Sequence, residues 1–413
     1  MSRFKFIDLF CGIGAFHQAM TSLGGECVYA CDIDAAVRKV YEENYGMKPD
    51  EDITKVDEKS IPAFDVLCAG FPCQSFSKAG SRLGFEDKIK GTLFFDVMRI
   101  AQYHKPKYII LENVRNLTTH DGGKTWRTIR SSIRQLGYYV QDEPVIFSPH
   151  YIGIPQHRER VFIMAIRDEE YSNFVFNTDN IKECNIDSIL QDDGEILNLS
   201  QYKLSQKQIE WIDLWNEFIQ NMNYFPSFPI WSDSFYTFNE YPFREEYYKF
   251  PDWKQKFVDS NIKLYEEHKE FIDKWLVRAK QNELFFGSKA KFEWQAGECD
   301  KPNIWDNIMQ IRPSGLRVKP GNYFPALVAI TQTSIIGKRK RYITPRECAR
   351  IQSFPDSFII DKSDTKAYKQ FGNSINVECA KIFAKYMFGD KETREQFSKE
   401  KQYPDHLISN TLF

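Results

Sequence analysis

Short apolar runs alternate with apolar residues at helical spacing through the first third of this chain. Phe4 to Phe10 is an aromatic-rich run followed by Cys11-Gly12-Ile13-Gly14, and then Phe16, Ala19, Met20 and Leu23 recur at helical intervals up to Gly24-Gly25. This predicts a strand, a glycine turn and a helix. A second run, Cys27 to Cys31, stops at Asp32-Ile33-Asp34, and Val37, Val40, Tyr41 and Asn44 follow with helical spacing. The two units make a βαβ pattern. Further strands are predicted at Asp65–Ala69 and Tyr108–Leu111, and helices are predicted from Gly91 and along Trp126, Ile129, Ile133 and Leu136 as far as Gly137. A hairpin with strands near Tyr138–Phe147 and Arg160–Ile166 completes the pattern.

If the first four strands are parallel, the turn after Phe10, Asp32, Cys73 and Glu112 all fall on the carboxyl edge of one sheet, where open α/β folds bind ligands. An antiparallel strand starting at Arg160 brings Arg158 and Arg160 to that edge from the other direction. Cys73 sits in Gly70-Phe71-Pro72-Cys73-Gln74, where Gly70 and Pro72 force the chain to turn. A cysteine in such a loop is by itself usually structural. Glu112 and Arg158 taken singly read as a solvated carboxylate and a surface ion pair; their joint placement is what favours a site.

Asp32 lies 18 residues beyond Gly14, near the spacing at which such folds set an acid on a ribose, but His17 occupies the third position of a GxGxxG turn. That turn suits a nucleoside without pyrophosphate and disfavours a nicotinamide oxidoreductase. The long polar stretch from Lys78 to Lys90 reads as a functional lid.

Composition adds little about partners. A net charge of −2 over 413 residues gives no global polyanion signal, although from Ile311 to Arg350 nine basic residues face one acid, Glu347. Nine scattered cysteines without a CxxC pair argue against a disulfide framework or zinc, and no metal is expected. No apolar run nears the length of about 20 residues that spans a bilayer, and the amino terminus runs straight into a strand, so a cytoplasmic protein is expected.

Six blocks occur in an order that resembles the DNA cytosine-5 methyltransferases of bacterial restriction-modification type. They are Phe6 to Gly14, Gly70 to Gln74, Glu112-Asn113-Val114, Gln156 to Arg160, Arg346 to Arg350 and Phe371 to Ser374. The resemblance covers about residues 1–167 and 342–385. It implies a Rossmann-like, S-adenosylmethionine-dependent methyltransferase sheet with a large inserted target-recognition domain. The expected divisions are 1–175 for catalysis and cofactor binding, 176–341 for target recognition, and 342–413 for a hinge and return.

By resemblance, Cys73 is the nucleophile, Glu112 binds the cytosine ring nitrogen and amine, and Arg160 with Arg158 holds the ring carbonyl. Phe10, Gly12, Ile13, Gly14, Asp32, Ile33, Asp52, Ile53, Pro72, Leu93, Asn373 and Ser374 would surround S-adenosyl-L-methionine. Ordinary core packing competes for Ile33, Ile53 and Leu93. Double-stranded DNA is the implied partner, met by Ser77 in the Cys73 loop and by Arg312, Arg317 and Lys319, read as loop residues beside prolines and glycines. Ala326-Leu327 stands where relatives often carry Thr-Leu. Gln208–Met222 and Asp252–Arg278 are expected to be packing helices. A monomer is expected, with a cognate restriction endonuclease acting on the same sequence. An RNA cytosine methyltransferase and a catalytically silent DNA-binding protein are the alternatives.

Overall fold

A computed structural model of the chain describes residues 4–72, 93–167, 182–327 and 333–389. Cys73, Ser77 and the lid stretch lie outside the described residues. The chain packs as two compact units, one of residues 1–184 with 348–413 and one of residues 185–347. The segment 342–347 thus belongs with the second unit.

The first unit is built on a seven-stranded sheet. In chain order its elements are β1 (Phe4–Leu9), α1 (Ala15–Ser22), β2 (Gly25–Cys31), α2 (Ala35–Tyr45), β3 (Val66–Ala69), α3 (Leu93–His104), β4 (Tyr108–Val114), α4 (Lys124–Gln135), β5 (Tyr138–Val140), β6 (Val145–Phe147), the short β7 (Gln156–His157) and β8 (Arg160–Arg167). The strand order is β2-β1-β3-β4-β8-β5, with β6 also on β8. The first four strands are mutually parallel, while β8 runs antiparallel to β4, β5 and β6.

The expected strand over 138–147 is broken into β5 and β6, because the chain leaves the ladder at 141–144. Val145–Phe147 rejoins β8 opposite Arg160–Phe162. Strands buried on both faces read as unbroken apolar runs, which is why they were legible. Ile7, Leu9, Leu67, Ile109, Leu111 and Ile163 pack with Phe94 and Val97 of α3 and with Ile129 and Ile133 of α4. The alternate residues face the other way, where Phe162 stacks on Phe383 at 4.2 Å and Phe4 meets Phe388 at 4.8 Å.

The second unit holds α5 (Gln206–Gln220), β9 (Ile230–Trp231), α6 (Arg244–Tyr247), α7 (Asp252–Glu267), α8 (Lys269–Ala279), β10 (Lys291–Trp294), β11 (Ile308–Arg312), β12 (Gly315–Lys319), β13 (Phe324–Pro325), β14 (Ile335–Ile336) and β15 (Arg341–Tyr342). Its six-stranded sheet runs β15-β14-β11-β12-β10-β9. Helices α5 and α8 do pack on it as expected. Trp215 stacks on Phe292 at 5.1 Å, and the indole nitrogens of Trp211 and Trp215 both donate to the carbonyl of Lys289. The expected helix over 252–278 is two helices, interrupted at His268, whose backbone leaves helical geometry. Helix α9 (Pro345–Ile351) leads back, and α10 (Asp364–Asn373) and α11 (Val377–Phe388) complete the first unit.

The basic stretch needs correction. Arg312, Arg317 and Lys319 are strand residues, on a β11–β12 hairpin, rather than loop residues. In the ladder Gln310 lies opposite Arg317, and Glu293 of β10 lies on its other side. Alternation therefore puts the apolar Leu316 and Val318 in the core and the charged residues on the opposite face. Arg341, counted in the same run, is fully buried, and both its terminal nitrogens bind Glu347 at 2.7 and 3.0 Å, while Nε donates to Asp193 at 3.0 Å. Arg350 pairs with Asp356 at 2.8 Å. Charge counted along the stretch included Glu347 but missed Asp193 and Asp356, which lie outside it.

Candidate active site

At the carboxyl edge of the first sheet, β1 gives way to a turn in which Phe10, Gly12 and Gly14 all have positive φ, at 54°, 53° and 87°. The Gly14 amide closes this turn on the Cys11 carbonyl at 2.8 Å. Gly12 donates its amide to Asp32 Oδ2 and Asp34 donates to Asp32 Oδ1, both at 2.9 Å, so the end of β2 holds the turn by its carboxylate. Burial pushes the Asp32 carboxyl up, and the Asp34 and Gly12 amides pull it back.

The other predicted nucleoside residues separate into two groups. Ile33 is 76% exposed, an apolar side chain in the open next to Asp32. Ile53 is instead in the sheet core, and Leu93 is partly buried against that core. Asp52 caps its own turn, accepting from Thr54 at 3.1 Å through the amide and 2.7 Å through the hydroxyl. Reciprocal bonds between Asp50 and the Ala30–Asp32 backbone bring this 50–53 stretch beside β2.

The second half of the edge carries the ionic pair. Glu112 lies two residues before the end of β4, and Arg160 opens β8 opposite Val114. In an antiparallel ladder residues 112, 114 and 160 share a face. Arg160 Nε stands 3.1 Å from Glu112 Oε1. Burial raises the Glu112 carboxyl above the usual carboxylate range, and Arg160 and then Arg158 pull against that rise. The same carboxylate overhangs the root of the Cys73 loop, since a Cβ added to Gly70 would lie 3.7 Å from Glu112 Oε2 and 3.2 Å from Ile375 Cδ1. Asn113 fixes this root by donating to the Phe71 carbonyl at 2.7 Å, leaving Pro72 exposed.

Arg158 departs from its expected position beside the base. Its guanidinium is buried and donates through Nη2 to the carbonyls of Gly372 and Ser374 at 2.8 and 2.9 Å. Burial, and then Arg160, pull its pKa down to about 9. It therefore anchors the Asn373-Ser374 corner, where Ser374 is buried and Asn373 exposed.

Two residues of this edge carried no role in the sequence. Asp8 is buried on the face shared with Glu112, accepts the His17 amide at 3.3 Å, and is pushed to a raised pKa by burial. An acid between Ile7 and Leu9, in the apolar half of its strand, was its signal. Tyr45 donates to the Gly14 and Ile13 carbonyls at 3.0 and 3.3 Å, which no local pattern could announce. His17, the residue in the third-glycine position, stacks on that tyrosine at 3.8 Å.

A nucleoside with a free ribose fits these residues. A Cβ on Gly12 would meet nothing within 4 Å, so the turn is open on that side, and each Asp32 oxygen accepts one backbone amide with a lone pair left for a hydroxyl. Among the described residues no group of His, Cys, Asp and Glu is placed to hold a metal ion, and no helix is long and apolar enough to cross a membrane.

Comparison with known proteins places this edge in context. The Type II methyltransferase M.AluI of Cellulosimicrobium cellulans is 33% identical over 91% of this chain and 90% of its own length. M.HhaI of Haemophilus parahaemolyticus is 31% identical over 93% and 94%, and M.HpaII of Haemophilus parainfluenzae 34% over 91% and 86%. Among solved structures, the DNMT2 of Spodoptera frugiperda aligns with a TM-score of 0.54 at 18% identity, covering 93% of this chain and 99% of that one, which speaks for the fold. The family model for C-5 cytosine-specific DNA methylases matches residues 4–389, and the chain belongs to that family.

Proposed function

We propose that this enzyme methylates carbon 5 of a cytosine rotated out of a specific duplex DNA sequence, using S-adenosyl-L-methionine and a covalent bond to Cys73. The observation that carries the assignment of roles is the Glu112–Arg160 pair, placed over Gly70 at the edge that also carries the Gly12–Asp32 turn. When bound, the cofactor supplies an electrophilic methyl group. Phe10, Gly12, Ile13 and Gly14 would cradle it, Asp32 would accept its ribose hydroxyls, and Ile33 would cover adenine. Pro72, Leu93, Asn373 and Ser374 would close the pocket, while Asp52 and Ile53 would contribute through the position of their turn.

Carbon 5 of cytosine is too weak a nucleophile to react alone. The Cys73 thiolate adds to carbon 6, and the electrons move through carbon 5 toward the ring nitrogen and carbonyl. Glu112, with its raised pKa, holds a proton at the ring nitrogen as negative charge builds there. Arg160 faces the ring carbonyl and favours the thiolate. Carbon 5 takes the methyl group; loss of its proton then restores the ring and expels the Cys73 thiolate. A stacked base offers no face for this attack, so flipping is required.

Arg312, Arg317 and Lys319 are proposed to meet DNA from the second unit, with Ser77 meeting it from the Cys73 loop. Burial lowers the Lys319 and Arg312 pKa values, neighbouring cations add to the effect, and Glu293 works against it at both. A cation cluster that is desolvated and under-compensated suits a polyanion. The domain roles follow: catalysis in the first unit, target choice in the second. A monomer acting as the modifying half of a restriction-modification pair is the corresponding biological reading.

Duplex DNA bearing 5-fluorocytosine at the target should trap a denaturation-resistant adduct in the presence of S-adenosylmethionine. Equal trapping by Cys73→Ala would overturn the mechanism. Bisulfite sequencing of random duplexes would report the target, and methylated RNA without methylated DNA would transfer the assignment to an RNA substrate.

A further inference from the structure

Helix α2 ends on two consecutive residues that tie together parts of the first unit far apart in sequence. Tyr45 lies under the glycine turn, so close that a Cβ on Gly14 would come within 2.3 Å of its ring. Its hydroxyl donates to the Gly14 carbonyl at 3.0 Å and to the Ile13 carbonyl at 3.3 Å. The ring is fixed in turn by His17, stacked at 3.8 Å, and His17 shares a 2.7 Å hydrogen bond with the fully buried Tyr41. Gly14 O also accepts the Gln18 amide, so the same carbonyl starts α1. Tyr45 therefore sets the planes of two peptide groups in the turn that is open at Gly12.

Asn44 acts on the opposite partner. Its side chain makes a reciprocal pair with the backbone of Ile359, donating to the carbonyl at 2.9 Å and accepting the amide at 2.7 Å. Adjacent Phe358 packs on Phe371 at 6.3 Å, and the next residue, Gly372, offers the carbonyl held by Arg158. A continuous set of contacts thus joins the glycine turn, the end of α2, the 358–359 segment and the Asn373-Ser374 corner. The two ends are the two walls assigned to the cofactor.

We propose that Asn44 and Tyr45 form a positioning clamp that sets affinity for the S-adenosyl cofactor by fixing the glycine turn to the carboxyl-terminal wall of its pocket. This rests on the cofactor reading above. Tyr45 touches no reacting atom; it acts through the Ile13 and Gly14 carbonyls. A half-buried hydroxyl donated to two carbonyls, once removed, leaves those carbonyls free to rotate away from the geometry the ligand needs.

Tyr45→Phe keeps the ring, its stack and its packing against Gly14 while deleting the donor. The expected result is a rise of about 3- to 15-fold in the Kd for S-adenosylhomocysteine, measured calorimetrically on the full-length protein. The KM for S-adenosylmethionine should rise in step, with kcat at saturation within about twofold and the ligand-free Tm within about 2 °C. Asn44→Ala should weaken the same binding, and the double variant should lose less than the product of the two single losses. Unchanged Kd in both variants would overturn the clamp, as would a fall in kcat and Tm without a change in Kd. A wild-type protein with no measurable affinity would instead overturn the cofactor reading beneath it.

Discussion

Each of the two units carries an acid–arginine pair whose arginine lies on a strand, and the pairs serve opposite ends. In the first unit Glu112 and Arg160 stand 3.1 Å apart at a strand end, with 11% and 19% of their side chains exposed, over Gly70 on the sheet edge that also carries the open Gly12 turn. In the second unit Arg341 and Glu347 are wholly buried, and every hydrogen-bonding site of the carboxylate is used, by two guanidinium nitrogens and by the amides of Thr344 and Gln191. A sealed, saturated pair can only hold the chain together. A pair at an edge, with its acid pushed toward protonation, retains capacity for a substrate. Chemistry is thus decided by what surrounds a pair rather than by the pair itself.

The sharpest way to break this contrast is to remove the acid from each pair. Glu112→Gln should lower kcat by about 10²- to 10⁴-fold while leaving the melting temperature unchanged or slightly higher, because a desolvated carboxylate is removed. For the wild type, the raised pKa means that the protonated acid persists above the usual carboxylate range and is lost as pH rises through it. The kcat profile should fall on that limb, and the limb should vanish in Glu112→Gln.

Glu347→Ala should do the reverse, costing about 3–5 kcal/mol of stability by stranding Arg341 in the interior, as chemical denaturation would show. A folded, cofactor-binding Glu347→Ala protein with normal stability but poor kcat would dissolve the distinction. His17 gives a smaller, pH-dependent effect. Burial pulls its pKa down to about 4, whereas in the unfolded chain it charges below about 6.5. The unfolded state therefore binds more protons between those values, and stability is lost as pH falls through the window, by about 2 kcal/mol after allowance for screening. His17→Gln should flatten the Tm profile there.

On the second sheet, Arg317 donates Nε to Glu293 at 2.7 Å. Arg317→Ala should weaken DNA binding by about tenfold and lower the salt slope by about one if it meets a phosphate, or relax one base position if it meets a guanine. No change in either quantity would make the Arg317–Glu293 pair structural, like Arg341–Glu347. The smallest effect belongs to Lys274→Ala, whose i,i+4 partner Glu270 is on the exposed face of α8, with a change below about 0.5 kcal/mol.

The sequence by itself determined the sheet of the first unit, because strands buried on both faces leave unbroken apolar runs and because glycines and prolines mark where each must end. It also determined the chemical groups at the carboxyl edge, since four parallel strands necessarily deliver their ends to one side. Only the tertiary structure decided which groups meet. It sent Arg158 to the carbonyls of Gly372 and Ser374, which lie more than two hundred residues away in the chain. It put Ile53 in the core and left Ile33 outside, although both are apolar residues in short connections. It also turned a basic run read as a loop into a hairpin with a sealed arginine beyond it. Local pattern records how one segment buries its own apolar face, whereas hydrogen bonds and ion pairs between segments depend on distances that no local pattern contains.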